Sequence, residues 1–254
     1  MRSLFPLFAA FCLAAGAGCV RVTQDLVLER DGRGTLTITY GAKEQDIQRM
    51  RQVARQMAAI DPDLAPADVD WLTSFDEEAI RREWKKNAGP GVHLAYVTTG
   101  MEGPWRMMTV RLRFDSLQQL FDCGMVEDCH IALTRGPSGH YGYLQTVSAG
   151  RAAKALPPGM TMEHAGPMAA MLLQGLDATF RVTTPGRILK SNADRVENTT
   201  ATWRITDQTP DLLGRLQSME FRMMFDGRGL TIAAARVGNR PHRARTWPHR
   251  KKRS

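Results

Sequence analysis

Val20-Arg21-Val22-Thr23-Gln24-Asp25-Leu26-Val27-Leu28-Glu29-Arg30-Asp31-Gly32-Arg33-Gly34-Thr35-Leu36-Thr37-Ile38-Thr39-Tyr40 is the stretch that decides the fold. Val22, Gln24, Leu26 and Leu28 alternate with polar neighbours up to Asp31-Gly32. Leu36, Ile38 and Tyr40 then alternate with Thr35, Thr37 and Thr39. Period-two patterning on both sides of an Asp-Gly pair predicts a β-hairpin with one buried and one wetted face. The same device recurs near the end, where Met219–Phe225 runs into Asp226-Gly227-Arg228-Gly229 and then Leu230–Ala234. The repeated D-G-R-G is read as turn chemistry, since such turns need residues that tolerate φ > 0.

Working outward, Ile47, Met50, Val53, Ala54, Met57 and Ile60 recur at helical period between Lys43 and Ile60. Asp76-Glu77-Glu78 opens a second helix that runs to about Asn87. Val92–Thr99 and Trp105–Phe114 read as strands, and Asp115 as the cap of a short helix ending at Phe121. The strands His130–Thr134 and Tyr141–Val147 follow, then a loop over 152–166, a helix from Pro167 to about Gly175, and an extended segment Phe180–Asn192 paired with Thr199–Thr206. The expectation is an α+β fold: one largely antiparallel β-sheet with a few packed α-helices, an N-terminal signal segment and a disordered basic C-terminal tail. Its boundaries are a signal peptide over 1–18, a single domain over 19–237 and the tail over 238–254.

The composition, 254 residues with 43% hydrophobic and 24% charged, excludes a chain that is disordered throughout. After the first twenty positions no apolar run of 18 residues occurs, which excludes a multi-span helical membrane protein. The net charge is +8, but Arg240, Arg243, Arg245, Arg250, Lys251, Lys252 and Arg253, together with Arg2, account for all of it. A neutral body lacks the basic surface with which a folded nucleic-acid reader neutralises phosphates, so no nucleic-acid partner is expected.

Met1-Arg2-Ser3, the apolar run Leu4–Ala17 and the small residues before Cys19 form an export signal. Two processing sites compete. Gly16-Ala17-Gly18-Cys19 reads as a lipobox that makes Cys19 the acylated first residue, although Gly16 stands where an aliphatic residue usually does. Ala15-Gly16-Ala17 reads as an ordinary A-x-A site that releases a soluble chain beginning at Gly18, and an uncleaved anchor is a third outcome. The lipobox is the preferred reading. It places the protein on the cell membrane or outer membrane, facing periplasm or exterior, with a fatty acyl group such as palmitate on Cys19.

Export also frames the other cysteines. Cys12 lies in the leader, and Cys123 and Cys129 form one pair six residues apart with Gly124 between them, expected as a disulfide in an oxidising compartment. A zinc site of Cys123, Cys129, His130 and His140 is the weaker alternative, because the C-x2-C half of a zinc frame is missing.

An exported chain with this opening hairpin and the later segment T-P-G-R-I-L-K-S-N-A-D…T-A-T-W-R-I resembles the LppM-like family of bacterial envelope lipoproteins of unknown activity. The matching positions are Pro185, Gly186, Ile188, Asn192, Thr200 and Trp203. The resemblance implies a membrane-anchored α+β domain and brings no catalytic residues. Trp203 is read as core, and Pro185-Gly186 as a tight turn.

Sought chemistry is scarce. G-x-S-x-G, H-E-x-x-H, the phosphate-binding P-loop and the EF-hand loop are absent from the sequence, and His93, His130, His140 and His164 share no common spacing. Met160, Met162 and His164, with Met168 and Met171 following, could offer thioether and imidazole ligands to Cu(I). Methionine is also a common gap-filler in cores. The reading is therefore a non-catalytic binding or scaffolding lipoprotein, with no cofactor, no metal and no enzyme activity expected. Its partners are the membrane through Cys19, and anionic lipid or polysaccharide contacted by the basic tail. The alternatives are a periplasmic hydrolase with an unrecognised site or a soluble secreted copper-binding protein.

Overall fold

The alternating sequence around Asp31-Gly32 does form the opening hairpin. In a computed structural model of the chain, which describes residues 20–48, 75–122, 129–136, 138–148, 174–212, 215, 218–233 and 235–236, β1 (Val20–Leu28) pairs antiparallel with β2 (Gly34–Lys43) from Val20↔Ala42 to Leu28↔Gly34. Val20, Val22, Gln24, Leu26 and Leu28 point inward and are buried; Arg21, Thr23, Asp25 and Val27 face out. Gly32 turns the hairpin at φ +91, a conformation that costs glycine least.

Helix α1 (Glu77–Asn87) leads to β3 (Val92–Glu102) and β4 (Trp105–Phe114), whose hairpin packs β4 against β2. Helix α2 (Leu117–Asp122) precedes β5 (Cys129–Arg135) and β6 (His140–Ser148). The chain then passes through β7 (Asp177–Thr183), β8 (Ile188–Ser191), β9 (Arg195–Glu197), β10 (Thr200–Thr206), β11 (Ser218–Asp226) and β12 (Ala235–Arg236). These strands make two sheets, ordered β3-β4-β2-β1-β7-β10-β9 and β12-β5-β6-β11-β8. The inner faces meet through aromatic contacts: Phe221 of the smaller sheet lies 4.7 Å from Phe180 and 5.2 Å from Trp203 of the larger one, centroid to centroid.

This corrects the expected α+β class. The described chain is mostly β, built on two facing sheets with short helices, rather than on one sheet carrying packed helices. Local period alone cannot show that β7 returns to lie parallel to β1 in the middle of the larger sheet, or that β8 and β11 leave for the second one. Of the expected helix over Lys43–Ile60, residues 44–48 are helical and the remainder lies outside the described residues, as do most of the helix from Pro167, the signal segment and the basic tail. Among the described residues no helix is long and apolar enough to cross a membrane.

Two local expectations also change. Ser116, rather than Asp115, caps α2: its Oγ accepts from Gln119 N–H at 3.3 Å, and its carbonyl accepts from Leu120 N–H. The second D-G-R-G turn does not close a hairpin. Burial of Leu230 and Ile232 draws the chain beside the first turn, where Thr231 N–H donates to Arg30 O and Ile232 O accepts from Tyr141 Oη, so β12 pairs with β5 instead of β11.

Helix α1 forms as its sequence suggests. Asp76 accepts from Ala79 N–H at 3.1 Å, Glu77 and Glu78 occupy the first turn, Lys85 and Lys86 the last, and Ile80 and Trp84 enter the core. It also covers the outer edge of β3. Glu77 Oε1 accepts from Thr99 N–H at 2.7 Å, and Arg81 donates to Val97 O at 3.0 Å. Side chains thereby occupy edge groups that another strand could otherwise pair with. At the opposite edge Asp194 accepts from Arg204 N–H at 2.7 Å.

Candidate functional site

Cys19, Cys123, Met160, Met162, His164, Met168 and Met171 lie outside the described residues. Cys129 opens β5 with its backbone opposite Val147, and His130 stands opposite Thr146. His93 lies on β3 in the larger sheet, opposite Arg113, whereas His140 heads β6 in the smaller sheet, opposite Asp226. The structure does not bring these two histidines together. Among the described residues no group of three His, Cys, Asp or Glu side chains is placed to hold a metal ion.

Of the residues that carried the family resemblance, Asn192 and Trp203 meet where the two sheets adjoin. Asn192 Oδ1 accepts from Trp203 Nε1 at 3.0 Å and from Arg222 N–H at 2.8 Å, while its Nδ2 donates to Glu220 O at 2.8 Å. The strand end of β8 is thus tied to β10 of the other sheet and to β11 beside it. Trp203 is 5% exposed, so it is core as expected, and its one polar atom is satisfied. Gly186 is required by close approach: a Cβ there would sit 1.8 Å from Asp226 O. Buried Thr184 donates to Gly186 O at 2.8 Å and stiffens the same turn. The role of this motif is therefore to hold two sheets in register.

At the far end of β1 the two D-G-R-G turns abut, with a Cβ on Gly32 falling 3.2 Å from Ile232 Cγ2. Arg228 donates to both carboxylate oxygens of Asp226, from Nε to Oδ1 at 3.1 Å and from Nη2 to Oδ2 at 2.6 Å, and holds that carboxyl down at about 2. His140 Nδ1 is buried beside this pair without a hydrogen-bond partner. The arginines here close turns through Asp31 and Asp226.

The opposite end is built differently. Trp105, 8% exposed, pairs across from Lys43 on the outer face of the sheet. The Arg21 guanidinium lies 4.1 Å from the centre of its ring and the Lys43 ammonium 5.6 Å. Met107 fills the space over Gly41, where a Cβ would meet its Sδ at 2.2 Å. Two like charges therefore share one indole beside Val20, the residue that follows Cys19. The sequence reading missed this cluster, because Arg21, Lys43 and Trp105 are distant in the chain and meet only once β4 pairs with β2.

No family model matches the sequence, and no curated protein matches it. Among solved structures the chain is similar to the NMR structure of the folded domain of the Mycobacterium tuberculosis LppM protein, at 12% sequence identity and a TM-score of 0.43, covering 85% of this chain and 96% of that chain.

Proposed function

We propose that the chain is an exported cell-envelope protein, anchored by lipid on Cys19, whose folded body binds or scaffolds rather than catalyses. The observation that carries this reading is the abutment of leader and fold. Residue 19 directly precedes β1, and Val20, 1% exposed and paired with Ala42, is already part of the sheet. An acyl group at Cys19 would hold the end of a central strand at the bilayer surface, on the periplasmic or outer side of the cell membrane or outer membrane. The described polar contacts support a structural role: inside, Tyr143 donates to Gln145 at 2.7 Å and Thr184 closes its own turn, and at the surface Asn192 ties the sheets. Metabolic labelling with a radioactive fatty acid, followed by membrane fractionation, tests the reading. The expected result is label on the wild-type band in the membrane fraction and none on Cys19→Ser; an unlabelled wild-type band contradicts it. Thiol labelling of the exported protein tests the Cys123–Cys129 disulfide, which two free thiols would refute.

A further inference from the structure

We propose that the outer face of the larger sheet, along β1, β2 and β4, is a docking surface for an anionic lipid bilayer. The proposal deepens the envelope reading and relies on it only for bringing a membrane close.

The face is defined by register. Arg21 stands opposite Gly41, Lys43 opposite Trp105, Arg111 opposite Thr37 and Arg113 opposite Thr35, so all four cations leave the sheet on the side away from the core. Along β4, Trp105 to Arg113 covers about 26 Å at strand rise, and three strands span about 10 Å. Among the described residues none of Arg21, Lys43, Arg111 and Arg113 has a carboxylate within ion-pair distance. The cations further across the same face, Arg181, Arg204 and Arg195, are neutralised by Asp25, Asp177 and Glu197. Among the described strand residues of this face, Glu102 lies across from Trp105 at the hairpin rim, and Asp25, in register with Thr37 and Arg111, is held by Arg181. Charge on this half of the sheet is therefore asymmetric although the body as a whole is neutral.

Arg21 and Lys43 make the need for a counter-ion acute. Both are drawn to the indole, yet as like charges at one ring they repel one another. A lipid phosphate between them would relieve that repulsion. Thr35 and Thr37 stand beside the cations with hydroxyls that can donate to phosphate oxygens, whereas Thr39 and Thr109 bond to each other at 3.0 Å. The face also starts at Val20, next to the proposed acyl site, so a lipid-anchored molecule could lay this side along the bilayer without unwinding a strand. A flat row of cations suits a surface of headgroups, each cation contributing about a fivefold gain in partitioning.

The test uses the mature chain, residues 19–254, which contains every described residue, with Cys19→Ser so that no lipid contributes. Its sedimentation is measured with phosphatidylcholine vesicles and with vesicles containing about 30% phosphatidylglycerol, at low and high salt. Binding to the anionic vesicles alone, weakened by salt, is expected. Arg21→Glu with Lys43→Glu should then lower the partition coefficient by at least about tenfold. Arg30→Glu with Arg33→Glu, at the opposite end of β1, should leave it unchanged, the basic tail being common to both. Circular dichroism melting verifies that each variant folds, and Arg21→Gln with Lys43→Gln replaces the reversal if it does not. Equal binding of the Arg21/Lys43 variant and its parent overturns the proposal. So does binding to phosphatidylcholine vesicles as strong as to anionic ones, or binding to a soluble anionic polysaccharide but not to vesicles. If fatty-acid labelling fails while the vesicle result holds, the face stands and the lipid anchor falls.

Discussion

Replacing Asn192 with Ala removes three side-chain hydrogen bonds at the point where the sheets are tied. The largest loss falls on Trp203. Its indole is 5% exposed, so Nε1 is left as a buried donor that water reaches poorly, at a cost of about 1–3 kcal/mol. Arg222 N–H and Glu220 O lose their partners on the wetter side of β11 and can recover water, which limits each to about 0.5–1 kcal/mol. The sum is about 3 kcal/mol, which for a domain of this size lowers Tm by about 6–12 °C. A double-mutant cycle isolates the decisive bond. Trp203→Phe keeps an aromatic ring against Phe221 but has no N–H, and in that background Asn192→Ala should cost about 1–2 kcal/mol less than in the parent. Urea unfolding of the four proteins, followed by tryptophan fluorescence and circular dichroism, measures the cycle. An Asn192→Ala protein that melts within about 2 °C of its parent, or single effects that add without coupling, refutes the idea that Asn192 ties the sheets.

Other perturbations separate close packing from empty space. Gly186→Ala should prevent recovery of folded protein, since its Cβ would strike Asp226 O, whereas Gly100→Ala, with nothing within 4 Å, should leave Tm within about 2 °C of the parent; expression and melting check both. Burial pushes the Tyr40 phenol above its usual range, so ionisation is harder in the folded chain than in the unfolded one. Stability is then fully present below about pH 10 and declines as pH rises toward the folded value, and Tyr40→Phe should flatten that decline in urea unfolding between about pH 9 and 11.5. An unchanged slope would place the alkaline sensitivity elsewhere. Glu77→Ala frees the Thr99 N–H on the β3 edge and should raise the rate of aggregation seen by light scattering while costing less than about 1 kcal/mol in stability.

The β1–β2 hairpin, the strands β3 and β4 and the helix capped by Asp76 were legible because each is decided by neighbours in sequence: alternation, an Asp-Gly pair, an acidic first turn. The two-sheet arrangement was not legible. Whether Leu230 and Ile232 continue a hairpin or cross to the first turn depends on Gly32 and Tyr141, about 200 and 90 residues away in the chain. Long-range partners likewise decide the meaning of the family-like motif. Asn192 looks like a turn residue in sequence, and it becomes an inter-sheet tie only when Trp203 and Arg222 are placed beside it. The cation pair over Trp105 shows the same limit. Each member reads as an ordinary strand residue, and the excess charge appears only after register assigns four cations to one face and sets their potential acids beside other arginines.

The account's central claim, a processed and acylated Cys19 at the foot of β1, is met most directly by the intact mass of the protein extracted from membranes of its native cells. The predicted mass is that of residues 19–254 plus a thioether-linked diacylglyceryl group, with or without an amide-linked acyl chain. An unmodified chain beginning at Met1 in the cytosolic fraction, or one beginning at Gly18 free in the soluble exported fraction, would contradict it.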